Sequence, residues 1–77
     1  MKTIINIEIM AIDFPAEVEF HYSEDCGHVV NVNKIELLAD GYNSMDVLAL
    51  YFINDMIRED INQQLNDKYR EGDYEEA

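Results

Sequence analysis

In 77 residues the chain has one cysteine, one proline, three glycines, no tryptophan and only five lysines and arginines. With Cys26 alone, no disulfide can form within the chain, and a reducing cytoplasm is the compartment that fits. Seventeen aspartates and glutamates face those five basic residues, a formal charge of -12. That balance disfavours direct binding to nucleic acid or to an anionic membrane, because both depend on Lys and Arg at phosphate groups. The partly apolar start, residues 1–12, is interrupted by Asn6 and Glu8 and is too short to span a bilayer. No small-residue cleavage site follows it. Also missing are a glycine-rich phosphate loop and any nucleophile–base constellation, so neither an enzyme nor a cofactor is expected.

What is present is periodicity. Residues 3–12 alternate, with Ile5, Ile7, Ile9 and Ala11 in one phase and Asn6, Glu8 and Met10 in the other, as in a half-buried strand. The run Asp13-Phe14-Pro15 predicts a turn or bend, since proline fixes φ and lacks a donor. A second strand follows, in which Val18, Phe20 and Tyr22 alternate with Glu17, Glu19 and His21. Ser23-Glu24-Asp25-Cys26-Gly27 is a hairpin turn by composition. In residues 28–39 the apolar phase runs through Val30 and Val32 and then changes to Ile35 and Leu37, which predicts a bulge or a bend at Asn33-Lys34.

Residues 43–71 form the only long helical pattern, with Asn43 or Ser44 as cap, Asp46 in the first turn and Gly72 after the last. Two apolar lines run along it. Met45, Leu48, Ala49, Phe52 and Met56 make one, and Leu50, Ile53, Ile57, Ile61 and Leu65 make the other. The expected fold is a single α+β domain over residues 1–77: a small antiparallel three-stranded sheet (βββα, about 3–39) covered by one long C-terminal helix, with an acidic tail at 72–77. Such a helix outruns its sheet, so the turns carrying Ile57, Ile61 and Leu65 either fray or form a homodimer interface, unless the helix is bent or is shorter with a disordered tail from about residue 67.

Glu24, Asp25, Cys26 and His28 include metal-capable side chains, with His21 as a possible fifth. A structural zinc site needs four ligands with a distant second pair, and a polar turn is the stronger reading, so no metal is expected. No Lys or Arg near Cys26 lowers its pKa, which argues against a reactive thiol. Tyr51 reads as a core-edge residue, and Tyr69 and Tyr74 as exposed.

Ile7-Glu8-Ile9, Val18-Glu19-Phe20-His21-Tyr22, Ile35-Glu36-Leu37 running into Asp40-Gly41, and Asp46-Val47-Leu48 opening an acidic helix resemble small acidic proteins encoded by bacteriophages and prophages. The resemblance covers about residues 4–66, with Tyr-Asn-Ser inserted between Gly41 and Met45. It implies a phage-encoded accessory protein that acts by binding inside an infected bacterium, and it carries no catalytic residues.

Rows of carboxylates suggest a DNA-like negative surface: Glu17 and Glu19 project from one side of a strand about 6.8 Å apart. Glu24, Asp25, Asp55, Glu59 and Asp60 complete the candidate acidic surface. The expected partner is a basic host nucleic-acid-binding protein, such as a restriction or CRISPR-type nuclease complex or a recombination nuclease. The alternative is a non-enzymatic assembly module acting through the helix, with acidity serving solubility.

Overall fold

The computed structural model describes residues 1–42 and 46–76. Three antiparallel strands come first, β1 (Lys2–Ile9), β2 (Ile12–Ser23) and β3 (His28–Leu37), in sheet order β1-β2-β3. Two helices follow, α1 (Val47–Ile53) and α2 (Asp55–Glu71), and both pack on one face of the sheet. The expected α+β, strand-strand-strand-helix layout is the observed one, except that the helix is two.

The first turn lies before its expected place. Ile9 pairs with Ile12, so Met10 and Ala11 alone form the turn, and both take positive φ, 53° and 65°. Such a two-residue turn matches the twist of the flanking strands. β2 then runs straight through Pro15. Counting alternately from the Ile9–Ile12 closing pair puts Pro15 opposite Asn6 at a non-hydrogen-bonded position, where the missing N–H is not needed by β1. On its other side the Pro15 carbonyl accepts from Leu38 N at 2.9 Å, with no proline N–H to return, and β3 ends at Leu37.

The second turn is where composition puts it. Gly27, at φ 74°, donates to the Ser23 carbonyl, and the Ser23 hydroxyl accepts from Cys26 N. β3 carries the expected irregularity and a second one. Pairing steps from Glu19↔Lys34 to Phe20↔Val32, leaving Asn33 extra, and from His21↔Asn31 to Tyr22↔Val29, leaving Val30 extra. The second bulge turns Val29 inward and leaves Val30 half exposed at 50%, so Val29 and Val32, not Val30 and Val32, face the core.

The helix divides at Asn54. Its extended backbone (φ -114°, ψ 109°) closes α1 through its N–H to Leu50 O, and its side chain caps α2 by accepting from Ile57 N at 3.1 Å. Asparagine suits both tasks, because its short side chain replaces a missing backbone partner. Arg58 clips the junction, donating to the Phe52 carbonyl and pairing with Asp55. Asp46 is itself the N-cap of α1, accepting from Ala49 N; the caps expected at Asn43 or Ser44 lie outside the described residues. At the far end Gly72 (φ 73°) donates to Tyr69 O and Asp73 N donates to Lys68 O, a Schellman closure.

The core draws Ile5, Ile7, Phe14, Val18, Phe20, Val32, Ile35 and Leu37 from the sheet, Val47 and Tyr51 from α1, and Ile61 and Leu65 from α2. This corrects the expected homodimer face. Ile61 and Leu65 are fully buried against their own sheet and Ile57 is half-buried, because the break at Asn54 redirects α2 across the strands instead of letting it overrun them. It also corrects the first apolar line, since Phe52 and Met56 are exposed at 59% and 82%.

Side chains and the tail cover part of the two sheet edges. Gln64 bonds both backbone groups of Asn6 on β1, and Asn66 accepts from Val29 N on β3. The acidic tail pairs with β1, where Lys2 and Glu75 exchange two backbone hydrogen bonds of 2.7 Å. Covering Lys2 and Asn6 in this way hinders strand addition along β1.

Candidate interaction surface

With both helices on one face, the other face of the sheet has no helix over it. Alternation puts on that face the residues between the core positions: Lys2, Ile4, Asn6 and Glu8 of β1, Asp13, Pro15, Glu17, Glu19 and His21 of β2, and Lys34 and Glu36 of β3. Five are carboxylates and two are lysines.

Their register is unusual. Glu8 stands directly opposite Asp13, and Glu17 directly opposite Glu36. The first is a non-hydrogen-bonded pair, where Cα atoms approach to about 4.5 Å, and the second a hydrogen-bonded pair at about 5.5 Å. Like charges directly opposite each other destabilise a sheet. Lysine relieves only part of this. Lys2 pairs with Glu19 at 3.5 Å and Lys34 with Glu36 at 3.6 Å, whereas Glu8, Asp13 and Glu17 make no ion pair among the described residues.

The candidate carboxylates do not form one surface. Glu17 and Glu19 stand on the open sheet face, half-buried. Glu24 and Asp25 lie in the β2–β3 turn, and Asp55, Glu59 and Asp60 on α2, the layer that covers the opposite side of the sheet. Several are already engaged: Glu19 by Lys2, Glu24 by the Tyr69 hydroxyl at 2.7 Å, Asp55 by Arg58, and Asp60 by the Gln64 amide. Glu17, Asp25 and Glu59 have no hydrogen-bond or ion-pair partner among the described side chains. Sequence reasoning missed Glu8, Asp13 and Glu36. The signal for them is pairing register, which alternation along one strand does not contain.

Glu24 belongs to an aromatic cluster instead. The rings of Tyr22 and Tyr69 stack at 3.7 Å and 11°, and Tyr74 stacks on Tyr69 at 5.3 Å. The hydrogen bond to Glu24, with a smaller effect of burial, pushes the Tyr69 hydroxyl up to about 12, because the bond is made only by the protonated form. Tyr69 and Tyr74 are therefore half-buried members of a stack, and Tyr51 is buried, its hydroxyl donating to Asn62 Oδ1 at 2.7 Å to join the two helices.

The metal-capable residues of the β2–β3 turn stay apart. His28 pairs with Ser23 and His21 with Asn31, so the hairpin register does not bring the two imidazoles opposite each other. Among the described residues no three His, Cys, Asp or Glu side chains gather as a ligand set. Cys26 is exposed, and no described helix is long and apolar enough to cross a membrane. Comparison with protein-family models found no match, and neither did comparison with curated proteins or with solved structures.

Proposed function

We propose that the chain acts by binding, presenting the open face of its sheet to a basic protein surface, and that the partner is a nucleic-acid-binding protein of the cell that contains it. The observation that carries this reading is the pair of like-charged contacts, Glu8 opposite Asp13 and Glu17 opposite Glu36, on a face that no helix covers. A sheet selected for stability alone gains by replacing one member of each pair with Thr or Lys. Keeping both carboxylates concentrates negative charge in two close pairs on a rigid plane, which suits the Lys and Arg that otherwise hold phosphates.

The net charge of -12 supports the same direction, as does the resemblance to small acidic phage proteins. In this form the chain inhibits or modulates a defence nuclease or a related complex by occupying its nucleic-acid site. The helix-mediated homodimer is the second reading, and the burial of Ile61 and Leu65 in the core weighs against it, leaving only half-buried Ile57 of its three residues at the surface.

The test uses the immobilised chain in a bacterial lysate, eluted first with duplex DNA and then with salt. Nucleic-acid enzymes displaced by DNA, and lost when Glu17→Gln and Glu36→Gln are combined, support the reading. Retention of proteins that DNA does not displace, or unchanged retention by the double variant, overturns it.

A further inference from the structure

A groove of about 740 Å³ opens at the end of the molecule where the β1–β2 turn meets the α1–α2 junction. Half-buried Ile9, Leu50 and Ile57 lie along it, with Met10 and Met56 beside them. These two methionines are 92% and 82% exposed, and Met10 occupies a left-handed turn position that Asn or Gly fills at lower cost. A flexible, polarisable apolar side chain thus stands at the most outward point of a strained turn. Glu8 and Asp60 close the groove as charged members of its lining.

We infer that this groove is a docking site for a basic amphipathic helix of another protein. Aliphatic and methionine side chains adapt to the apolar face of a helix, and Glu8 and Asp60 lie where Lys or Arg flanking that face would reach. Charge decides against two other occupants. A second copy would bring its own Glu8 and Asp60 to the same contact, under a net charge of -12 on each chain, and an anionic lipid surface meets the same repulsion. The inference goes beyond the sheet-face reading: Glu8 belongs to both surfaces, but Met10, Met56 and Asp60 take no part in that face.

The probe is a fluorescent Leu/Lys peptide of about 14 residues, apolar at helical spacing and roughly 21 Å long when helical. Its control is a scrambled peptide with the same charge and no apolar face. Anisotropy titrations at moderate salt are expected to give binding of the first peptide at least about tenfold tighter than the second, and the combined Met10→Ser and Met56→Ser substitutions should remove that difference.

Both methionine side chains are exposed, so the variant is expected to fold, and circular dichroism checks that it does. Glu17 and Glu36 do not line the groove, so Glu17→Gln with Glu36→Gln is expected to leave the peptide preference intact, which makes failure of the sheet-face reading and failure of this one distinguishable. Equal binding of both peptides overturns the inference, as does a preference that survives loss of both methionines. Light scattering on the free chain that shows a dimer abolished by the methionine substitutions also overturns it, in favour of a second copy.

Discussion

The side-chain amide of Gln64 reads both backbone groups of Asn6: its Oε1 accepts from Asn6 N at 3.3 Å and its Nε2 donates to Asn6 O at 2.6 Å. One α2 residue thus stands in for a strand on the outer edge of β1. Replacing Gln64 with Ala should cost about 1 kcal/mol, the net worth of exposed hydrogen bonds, and raise the exchange rate of the Asn6 amide by about tenfold. Hydrogen exchange measured by NMR checks this; an unchanged Asn6 rate means the contact does not persist in solution.

At the helix junction, Asn54→Ala removes the acceptor for Ile57 N. The expected loss is about 1 kcal/mol, which in a chain of this size lowers Tm by roughly 4–8 °C. Asn54→Asp should retain most of the stability, because Asp caps as well as Asn. A fall in Tm of equal size for both variants would argue against capping as the cause of the break.

Tyr69 supplies a pH signature. Its hydroxyl is raised from 10.0 to about 12 when folded, so the stability it contributes is fully present below about pH 10 and is lost as pH rises through about 12. In an absorbance titration of tyrosinate, Tyr69 should ionise above its ordinary value of 10.0, and Glu24→Gln should lower it back towards that value. A titration that Glu24→Gln leaves unchanged would contradict the Tyr69–Glu24 bond.

Truncating Ile61 to Ala should cost about 2–5 kcal/mol through lost burial and the cavity left behind, a large share of the stability of so small a domain. Urea denaturation measures it, with oligomeric state followed in parallel. Loss of a dimer without loss of monomer stability would restore the interface role that burial denies to Ile61.

The Met10-Ala11 turn sets binding against stability. Replacing it with Asn-Gly places favoured residues at both positive-φ positions and should stabilise the chain by about 1–2 kcal/mol. The same change removes the Met10 side chain from the groove and should weaken binding of the amphipathic peptide. Thermal melts and the anisotropy titration together decide it.

Alternation and turn chemistry make the three strands legible in the sequence. Period-two patterns in β1 and β2, Gly27 after a polar turn and Gly72 after α2 are local signals, and local sterics enforce them. The Asn33 bulge is visible for the same reason, as a change of apolar phase. Pro15 misled because its cost depends on which neighbour needs its N–H, and that is a property of strand register. Asn54 misled because a capping residue within an apolar pattern breaks a helix only when packing favours the bend.

What the sequence determined by itself is the three strands, the acidity and, with Cys26 alone, the lack of a disulfide within the chain, since each follows from residue type and spacing. Tertiary structure alone decided which carboxylates meet. Glu17 and Glu36 are nineteen positions apart and become opposite only through register, while Ile61 and Leu65 pass from a supposed outer face into the core because α2 turns at Asn54. Charge and periodicity act along the chain, whereas register and helix direction are fixed by contacts between elements that no local pattern encodes.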